Sequence, residues 1–477
     1  MEARPELSEF DVIVIGGGAV AENVADRAVQ GGLTAVIVES ELVGGECSYW
    51  ACMPSKALIR SGSALRAARR LSGAAEAVTG ELDVAAVLAR RTRIVHDWDD
   101  TSQVDWLTGA GIALRRGHGR LVGERRVSVT NADGETAELT ARHAVVLSTG
   151  SDPLLPDIPG LLEADPWTSR DATSARTAPA RLGIIGGGVV AVEMATAYAS
   201  FGTAVTVFAR SGLLSGMEDI ARDGVTEGLR DLGVDVRRAS PTRVERTPSG
   251  VNVHTDDGSV TVDELLVATG RVPRTSDIGL DTVGLTPGDW VTVDDTLRVP
   301  GSDWLYATGD ITHRALLTHQ GKYQARAAGD VIVARAQGEP VADAPWGRHV
   351  ATADHRSVPQ VTFSDPEVAS VGLTAQQATD AGLRVRAVDY DLSWLAGATV
   401  NADDYRGAAR LVVDEDRQVV VGATFVGQDV AELLHAATIA VVAEVPLSRL
   451  WHAVPAYPTV SEVWLRFLET YGRDASA

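Results

Sequence analysis

The sequence predicts an α/β protein with two Rossmann-like domains and a C-terminal α+β domain. Three observations carry this. DVIVIGGGAVAENVADRAVQGG (residues 11–32) and RLGIIGGGVVAVEMATAYASFG (residues 181–202) each run an apolar strand into glycines and then into a helix-like segment. LSTG (147–150), VATGR (267–271) and YATGD (306–310) each close an apolar strand on Thr-Gly. From about residue 349 the glycine-rich loops stop and period-2 alternation takes over.

In the first element, Gly16-x-Gly18-x-x-Ala21 fits a dinucleotide fingerprint. Gly16 permits the tight turn, Gly18 lets the backbone approach a pyrophosphate, and small Ala21 lets the helix pack on the strand. The next strand, AVIVES, ends in Glu39, about 20 residues on, where a carboxylate accepts hydrogen bonds from a ribose diol.

The second element repeats the pattern as Gly186-x-Gly188-x-x-Ala191. Its following strand, AVTVF, ends in Ala209-Arg210 and carries no acid at the ribose position. A carboxylate there would repel a 2′-phosphate, whereas Arg pairs with one. The site therefore reads as NADPH-binding, with NADH as the alternative. Two fingerprints imply two different dinucleotides, and the simplest partner for NADPH is FAD.

The Thr-Gly strand ends, Thr149-Gly150, Thr269-Gly270 and Thr308-Gly309, suit a chain that leaves one nucleotide domain, crosses another and returns. Asp310 follows the last of them and is placed to bind a polar cofactor tail. The boundaries that follow are 1–155 for the first part of the FAD domain and 156–275 for the NAD(P)H domain. Residues 276–348 form the second part of the FAD domain, and 349–477 the C-terminal domain. In the last, SVPQVTFSDPEVASVGLT and ARLVVDEDRQVVVGATFVG read as strands, AELLHAATIAVVAE reads as a helix, and residues 344–356 read as a linker.

A chain of 477 residues with formal net charge −21 offers no basic patch for phosphate backbones, which excludes nucleic-acid binding. MEARPELSEF lacks the apolar core of a signal peptide, and no run of 18 apolar residues spans a membrane, so the expectation is a cytoplasmic enzyme. The basic residues are nearly all Arg. Only Lys56 and Lys322 are Lys, and a Lys that survives such a bias is expected to do something Arg cannot.

The chain also has only two cysteines, Cys47 and Cys52, in GGECSYWACMPSKAL (residues 44–58). Without a secretory signal, a close Cys pair points to redox or metal chemistry rather than a structural staple. The other readings are two small buried hydrophobes, or half of a metal site, for which no matching His or Cys cluster exists. A regular helix holds residues five apart about 8.6 Å from one another at Cα, and a disulfide needs less than about 7 Å. If the pair bridges, the backbone between them breaks from helix. Gly44 and Gly45 loosen the approach, and Pro54 suits the first turn of a following helix. That puts Cys52 near a helix N-terminus, where a thiolate is stabilised, with the charge of Lys56 about a turn further in.

These residues resemble the FAD-dependent pyridine nucleotide-disulfide oxidoreductases, the group with glutathione reductase, dihydrolipoamide dehydrogenase and mercuric reductase. The resemblance covers both fingerprints, the Thr-Gly repeats, the cysteine stretch and the C-terminal VPQVTFSDPEVASVGLT and YPTVSE. It implies that Cys52 faces the flavin and Cys47 is the interchange thiol. It implies further that Lys56 pairs with Glu193 near the flavin, and that Gly16, Gly18, Glu39, Gly119, Gly150 and Asp310 contact FAD. Gly45 and Thr149 join that candidate set, and Gly186, Gly188, Ala191, Arg210 and Gly270 complete the cofactor-binding residues. The C-terminal domain is implied to form a homodimer interface that lends residues to the partner's active site.

The departures from the pattern are specific. Where the disulfide reductases carry a His with an orienting Glu, this chain reads Tyr457-Pro458-Thr459-Val460-Ser461-Glu462. A neutral imidazole accepts a thiol proton near pH 7, and a phenol mainly donates. This argues against efficient turnover of dihydrolipoamide or glutathione disulfide, unless His452 substitutes. Val189 resembles mercuric reductase, but the further C-terminal cysteine pair of those enzymes is missing. Gly216 stands where a second basic residue often supports NADPH. Tyr49 and Trp50 either narrow access to the thiols or pack. The expected activity is NAD(P)H-driven reduction of a small disulfide or other oxidant through FAD and a Cys47–Cys52 disulfide. The alternatives are reduction of quinones or other electron acceptors, and a dihydrolipoamide dehydrogenase-like reaction.

Overall fold

The computed structural model describes residues 8–472. The reading of the N-terminal segment falls largely on residues 1–7, outside the described residues. The chain forms two compact units. The first gathers the chain up to Met53 with 92–152 and 271–355, and the second gathers 54–91 with 153–270 and the chain from Arg356 on.

The first unit is built on a seven-stranded sheet. Strand β1 (Glu9–Ile15) lies parallel between β2 (Ala35–Glu39) and strand Thr136–Leu147, in register Val12↔Ala35 and Ile15↔Leu147. The order continues to Ala113–Arg116 beyond β2, and to Arg126–Thr130 and His118–Gly123 on the other side. Leu305–Ala307 returns to pair with Thr136–Leu147. The run FDVIVI is buried residue after residue, as expected of a parallel strand covered on both faces. Helix α1 (Ala19–Gln30) packs beside helix Thr318–Gln337, with Gly321 of the latter against Val20.

The second unit holds a parallel sheet in the order Asp235–Arg237, Ala204–Phe208, Arg181–Ile185, Glu264–Val267. Helix Val189–Ser200 buries Ala191 to Tyr198 against it, in an apolar cluster shared with Leu58 and Ile59. The C-terminal part is a five-stranded antiparallel sheet, ordered Pro359–Thr362, Glu367–Gly372, Val419–Gly427, Ala408–Asp414, Val385–Asp391. Val419–Gly427 departs from the expected alternation, because helices Leu434–Val442 and Asp219–Asp231 both pack against this central strand and all nine residues are buried. The predicted helix AELLHAATIAVVAE forms as a 3-10 turn, Val430–Leu433, leading into Leu434–Val442. Arg66 and Arg70 both pair with Asp365 and tie residues 54–91 to this sheet.

All three Thr-Gly stretches follow strands as expected: Thr136–Leu147, Glu264–Val267 and Leu305–Ala307. Among the described residues no helix is long and apolar enough to cross a membrane.

Candidate active site

The two glycine loops are shaped by backbone geometry. Gly16 has φ +102, and a Cβ there would meet the Ser148 carbonyl oxygen at 2.3 Å. Gly186 has φ +129, with the Ala268 carbonyl oxygen at 2.1 Å. No side chain fits at either position. A Cβ on Gly18 or Gly188 would meet nothing within 4 Å. These glycines cap α1 and helix Val189–Ser200, and neither helix start has a side-chain cap. Free backbone N–H groups facing open room form an anion cradle. Ala21 and Ala191 are fully buried, as close helix packing requires.

Glu39 accepts the Gly17 N–H at 2.5 Å and the Glu41 N–H at 2.6 Å, and burial pushes its carboxyl up. The Ser151 hydroxyl donates to Asp310 at 2.6 Å, and the Thr149 hydroxyl donates to the Arg274 carbonyl at 2.8 Å. Gly150 follows, leaving the next turn open. Gly119 packs under Val38 and Ile15, so its missing side chain serves the sheet. The Gly270 carbonyl accepts the Leu154 N–H at 2.9 Å. The donor set fits a dinucleotide at each loop.

The cysteines sit at a helix break. Helix α2 (Gly45–Tyr49) ends at Trp50, with φ −134, and α3 (Cys52–Arg69) begins at Cys52 with Pro54 in its first turn. This is the interruption that the spacing requires of a bridging pair. Gly45 lies so close to Gly18 that a Cβ would come within 2.9 Å of the Gly18 Cα, and Gly44 forms a β-bridge with Gly18. The helix carrying Cys47 is therefore anchored on the first nucleotide loop. Both cysteines are thiols. Cys47 hydrogen-bonds with Cys52, and the Cys52 sulfur lies 3.4 Å from the Thr318 hydroxyl. The bond to Cys52 and then burial push the Cys47 thiol well up. Tyr49 is 2% exposed, its phenol pushed up to about 12 by burial, and its carbonyl accepts Trp98 Nε1 at 3.2 Å. Its ring belongs to the core, with Trp50 edge-on at 5.7 Å.

A second polar cluster lies in the other unit. Lys56 Nζ is 2.7 Å from Glu193 Oε2, and the Phe363 N–H donates to Glu193 Oε1 at 3.1 Å. The Lys56 ammonium also sits 5.0 Å from the centre of the Phe363 ring.

The family model described as "Pyridine nucleotide-disulphide oxidoreductase" matches residues 10–338, and its dimerisation domain matches residues 358–466. This chain belongs to the pyridine nucleotide-disulphide oxidoreductase family. It is an oxidoreductase and a flavoprotein, of a family that uses FAD with NAD(P)H, and its dimerisation domain supports a homodimer. A mercuric reductase from Streptomyces lividans is 32% identical, over 98% of this chain and 97% of its own length. A dihydrolipoyl dehydrogenase from Haloferax volcanii is 32% identical, over 96% and 95%. Among solved structures, LpdA from Mycobacterium tuberculosis aligns with TM-score 0.82 and 25% identity, over 98% of this chain and all of its own. The HOCl-induced flavoprotein disulfide reductase RclA from Escherichia coli shares the fold, with TM-score 0.83 and 24% identity over 97% of this chain and all of its own.

In this member of the disulphide oxidoreductases, Tyr457 is 77% exposed and lies outside any helix, while Glu462 is buried with Oε2 lacking a hydrogen-bond partner. His452 is exposed. Three residues near the candidate site were not singled out from sequence. Thr318 and Phe363 reach Cys52 and Glu193 from segments more than 150 residues away. Arg238 places its guanidinium 3.6 Å from the position of a Gly212 Cβ, beside the turn that begins at Arg210. Its signal was the parallel register Arg237↔Phe208, which sets the residues after both strands side by side.

Proposed function

We propose that this enzyme is an NADPH-dependent disulfide reductase in which Cys47 and Cys52 cycle between dithiol and disulfide. The observation that carries the reading is the hydrogen-bonded thiol pair at a helix break, anchored on a nucleotide loop through Gly45 and Gly18. Bound FAD supplies the means of passing two electrons from NADPH to a disulfide. Cys47 as thiolate attacks a small acceptor disulfide and expels one thiolate. Cys52 then attacks the Cys47 sulfur, expels the second and closes the Cys47–Cys52 bond. Thr318 places a hydroxyl on the Cys52 sulfur. Thiol cycling of this kind is favoured by a reducing compartment, which supports a cytoplasmic location.

Anaerobic titration with NADPH tests the reading. A two-electron state with a long-wavelength thiolate-to-flavin band is expected. Bleaching of the flavin with no such band in the wild type would take the dithiol out of the circuit.

Arg210, two residues past strand Ala204–Phe208, and Arg238, whose guanidinium lies 3.6 Å from the position of a Gly212 Cβ, favour NADPH. Arg210→Ala is expected to raise the KM for NADPH about tenfold, and the double change with Arg238→Ala about 100-fold, with NADH moved less than about twofold. Equal effects on both coenzymes in steady-state assays would remove the 2′-phosphate assignment.

A second reading, reduction of quinones or other acceptors, is favoured by one residue. Tyr457 offers a phenol where a thiol-handling site profits from a base.

A further inference from the structure

A buried polar chain in the first unit ends on the turn that carries Asp310. Gly309 has φ +80, and its N–H donates to Gln324 Oε1 at 2.8 Å. Gln324 Nε2 donates to Asp354 Oδ2 at 3.0 Å, and Gln320 Nε2 donates to Asp354 Oδ1 at 2.7 Å. Gln320, Gln324 and Asp354 are all buried, Gln324 completely. Both glutamines belong to helix Thr318–Gln337, whose Gly321 comes so close to the turn that a Cβ would sit 3.2 Å from the Gly309 Cα.

The direction of this chain is set at its far end. An ionised carboxylate only accepts hydrogen bonds. Asp354 therefore draws the NH2 of each glutamine toward itself, and Gln324 is left with its carbonyl toward Gly309. Turning the Gln324 amide over would set NH2 against the Gly309 N–H and oxygen against the carboxylate. Arg314 supplies the counter-charge. Its Nη1 lies 3.6 Å from Asp354 Oδ2 without a hydrogen bond, and its Nη2 donates to the Val293 carbonyl and to Asp295. Burial pushes the Asp354 carboxyl up, and Gln320, Arg314 and Gln324 pull against it.

Asp310 is thereby supported twice. The Ser151 hydroxyl donates to its Oδ2 at 2.6 Å and accepts Arg271 Nε at 2.5 Å, which holds the side chain. The Gln324 carbonyl holds the preceding peptide. Glycine is the least restrained residue, so the peptide leading into Asp310 takes its orientation from an outside partner.

We propose that Gln324 and Asp354 are positioning residues for FAD, pinning the Gly309 peptide so that the Asp310 carboxylate meets the cofactor; this rests on Asp310 as a FAD contact. They act through that peptide, and no bond in the reaction is made or broken by them.

The test follows FAD release from the loaded enzyme, read as the fluorescence of free flavin, with thermal unfolding of each variant alongside. Gln324→Met keeps the length of the side chain and strands the Gly309 N–H, and release is expected to become about tenfold faster, as an unsatisfied buried donor implies. Asp354→Asn turns one acceptor into a donor, so one glutamine loses its partner and release becomes about threefold faster. Adding Gln324→Glu to Asp354→Asn reverses one hydrogen bond and rebuilds the chain. The Asn amide then donates to the new carboxylate, which still accepts the Gly309 N–H. Release from the double variant is expected to return to within about twofold of the wild type. A merely structural network would lower the unfolding temperature of the single variants and leave FAD release unchanged, and that result overturns the proposal. A double variant that releases FAD as fast as Asp354→Asn alone overturns it equally. Should Gln324→Met fail to fold, the comparison of Asp354→Asn with the double variant decides. Asp310→Ala separates the underlying reading. If it holds FAD as the wild type does, Asp310 is no FAD contact and the proposal falls with it. If Asp310→Ala releases FAD faster while the Gln324 and Asp354 variants hold it unchanged, the positioning role alone is lost.

Discussion

Cys47→Ser is expected to lower NADPH-driven reduction of small disulfides by on the order of 10³-fold or more. The hydroxyl keeps the size of the thiol but cannot form the sulfur–sulfur bond that stores two electrons. Cys52→Ser gives a comparable loss with an opposite chemical signature at Cys47. The hydrogen bond to Cys52 is the largest influence holding the Cys47 proton on. With Cys52 gone, Cys47 ionises at lower pH, and its alkylation by iodoacetamide at pH 8 becomes faster than in the reduced wild type. Quinone turnover in Cys47→Ser separates the two functional readings. Disulfide activity lost with quinone activity kept places the thiols on the disulfide route alone. Disulfide reduction that survives Cys47→Ser would end the dithiol cycle as an account of this enzyme.

What the sequence made legible was local. Gly16 and Gly186 announce themselves because a positive φ with a carbonyl 2.3 Å or less from any Cβ excludes every other residue, and the fingerprint encodes that demand within six positions. The helix break between Cys47 and Cys52 was legible conditionally, since two cysteines five apart that bridge cannot sit on an unbroken helix. The strand ends at Thr149, Thr269 and Thr308 followed from short apolar runs stopped by glycine.

What escaped was everything that depends on which distant segments meet. Phe363 satisfies Glu193 from 170 positions away, and nothing in either stretch names the other. Gln324 and Asp354, 30 positions apart, read in the sequence as ordinary polar residues, and only their burial and shared hydrogen bond set them apart. Tyr49 was left open from sequence, as either narrowing access to the thiols or packing, and its burial against the Asp99 segment makes it core. The strand Val419–Gly427 was read with alternation that its two covering helices abolish.

The Lys56–Glu193 pair should show a marked asymmetry between its two halves. The Glu193 side chain is 4% exposed and that of Lys56 35%. Lys56→Met strands a buried carboxylate on one remaining donor, the Phe363 N–H. The expected cost is about 3 kcal/mol, at the low end for a broken buried pair because Lys56 is partly solvated. Glu193→Gln keeps an amide oxygen for Phe363 and leaves an ammonium that can turn to water, at about 1 kcal/mol. Removing both charges with Lys56→Met and Glu193→Leu should recover most of the larger loss, since a well-packed apolar pair replaces an ion pair at little net cost. Thermal unfolding of the three variants checks the order: the Lys56 variant lowest, the double variant above it, the Gln variant nearest the wild type. A Gln variant less stable than the Met variant would mean that the ammonium, not the carboxylate, is the replaceable half. Cys52 and Lys56 stand four residues apart on α3 and share a face of that helix. Lys56→Arg, with its longer planar head, should disturb the geometry of the pairing with Glu193 more than it disturbs stability.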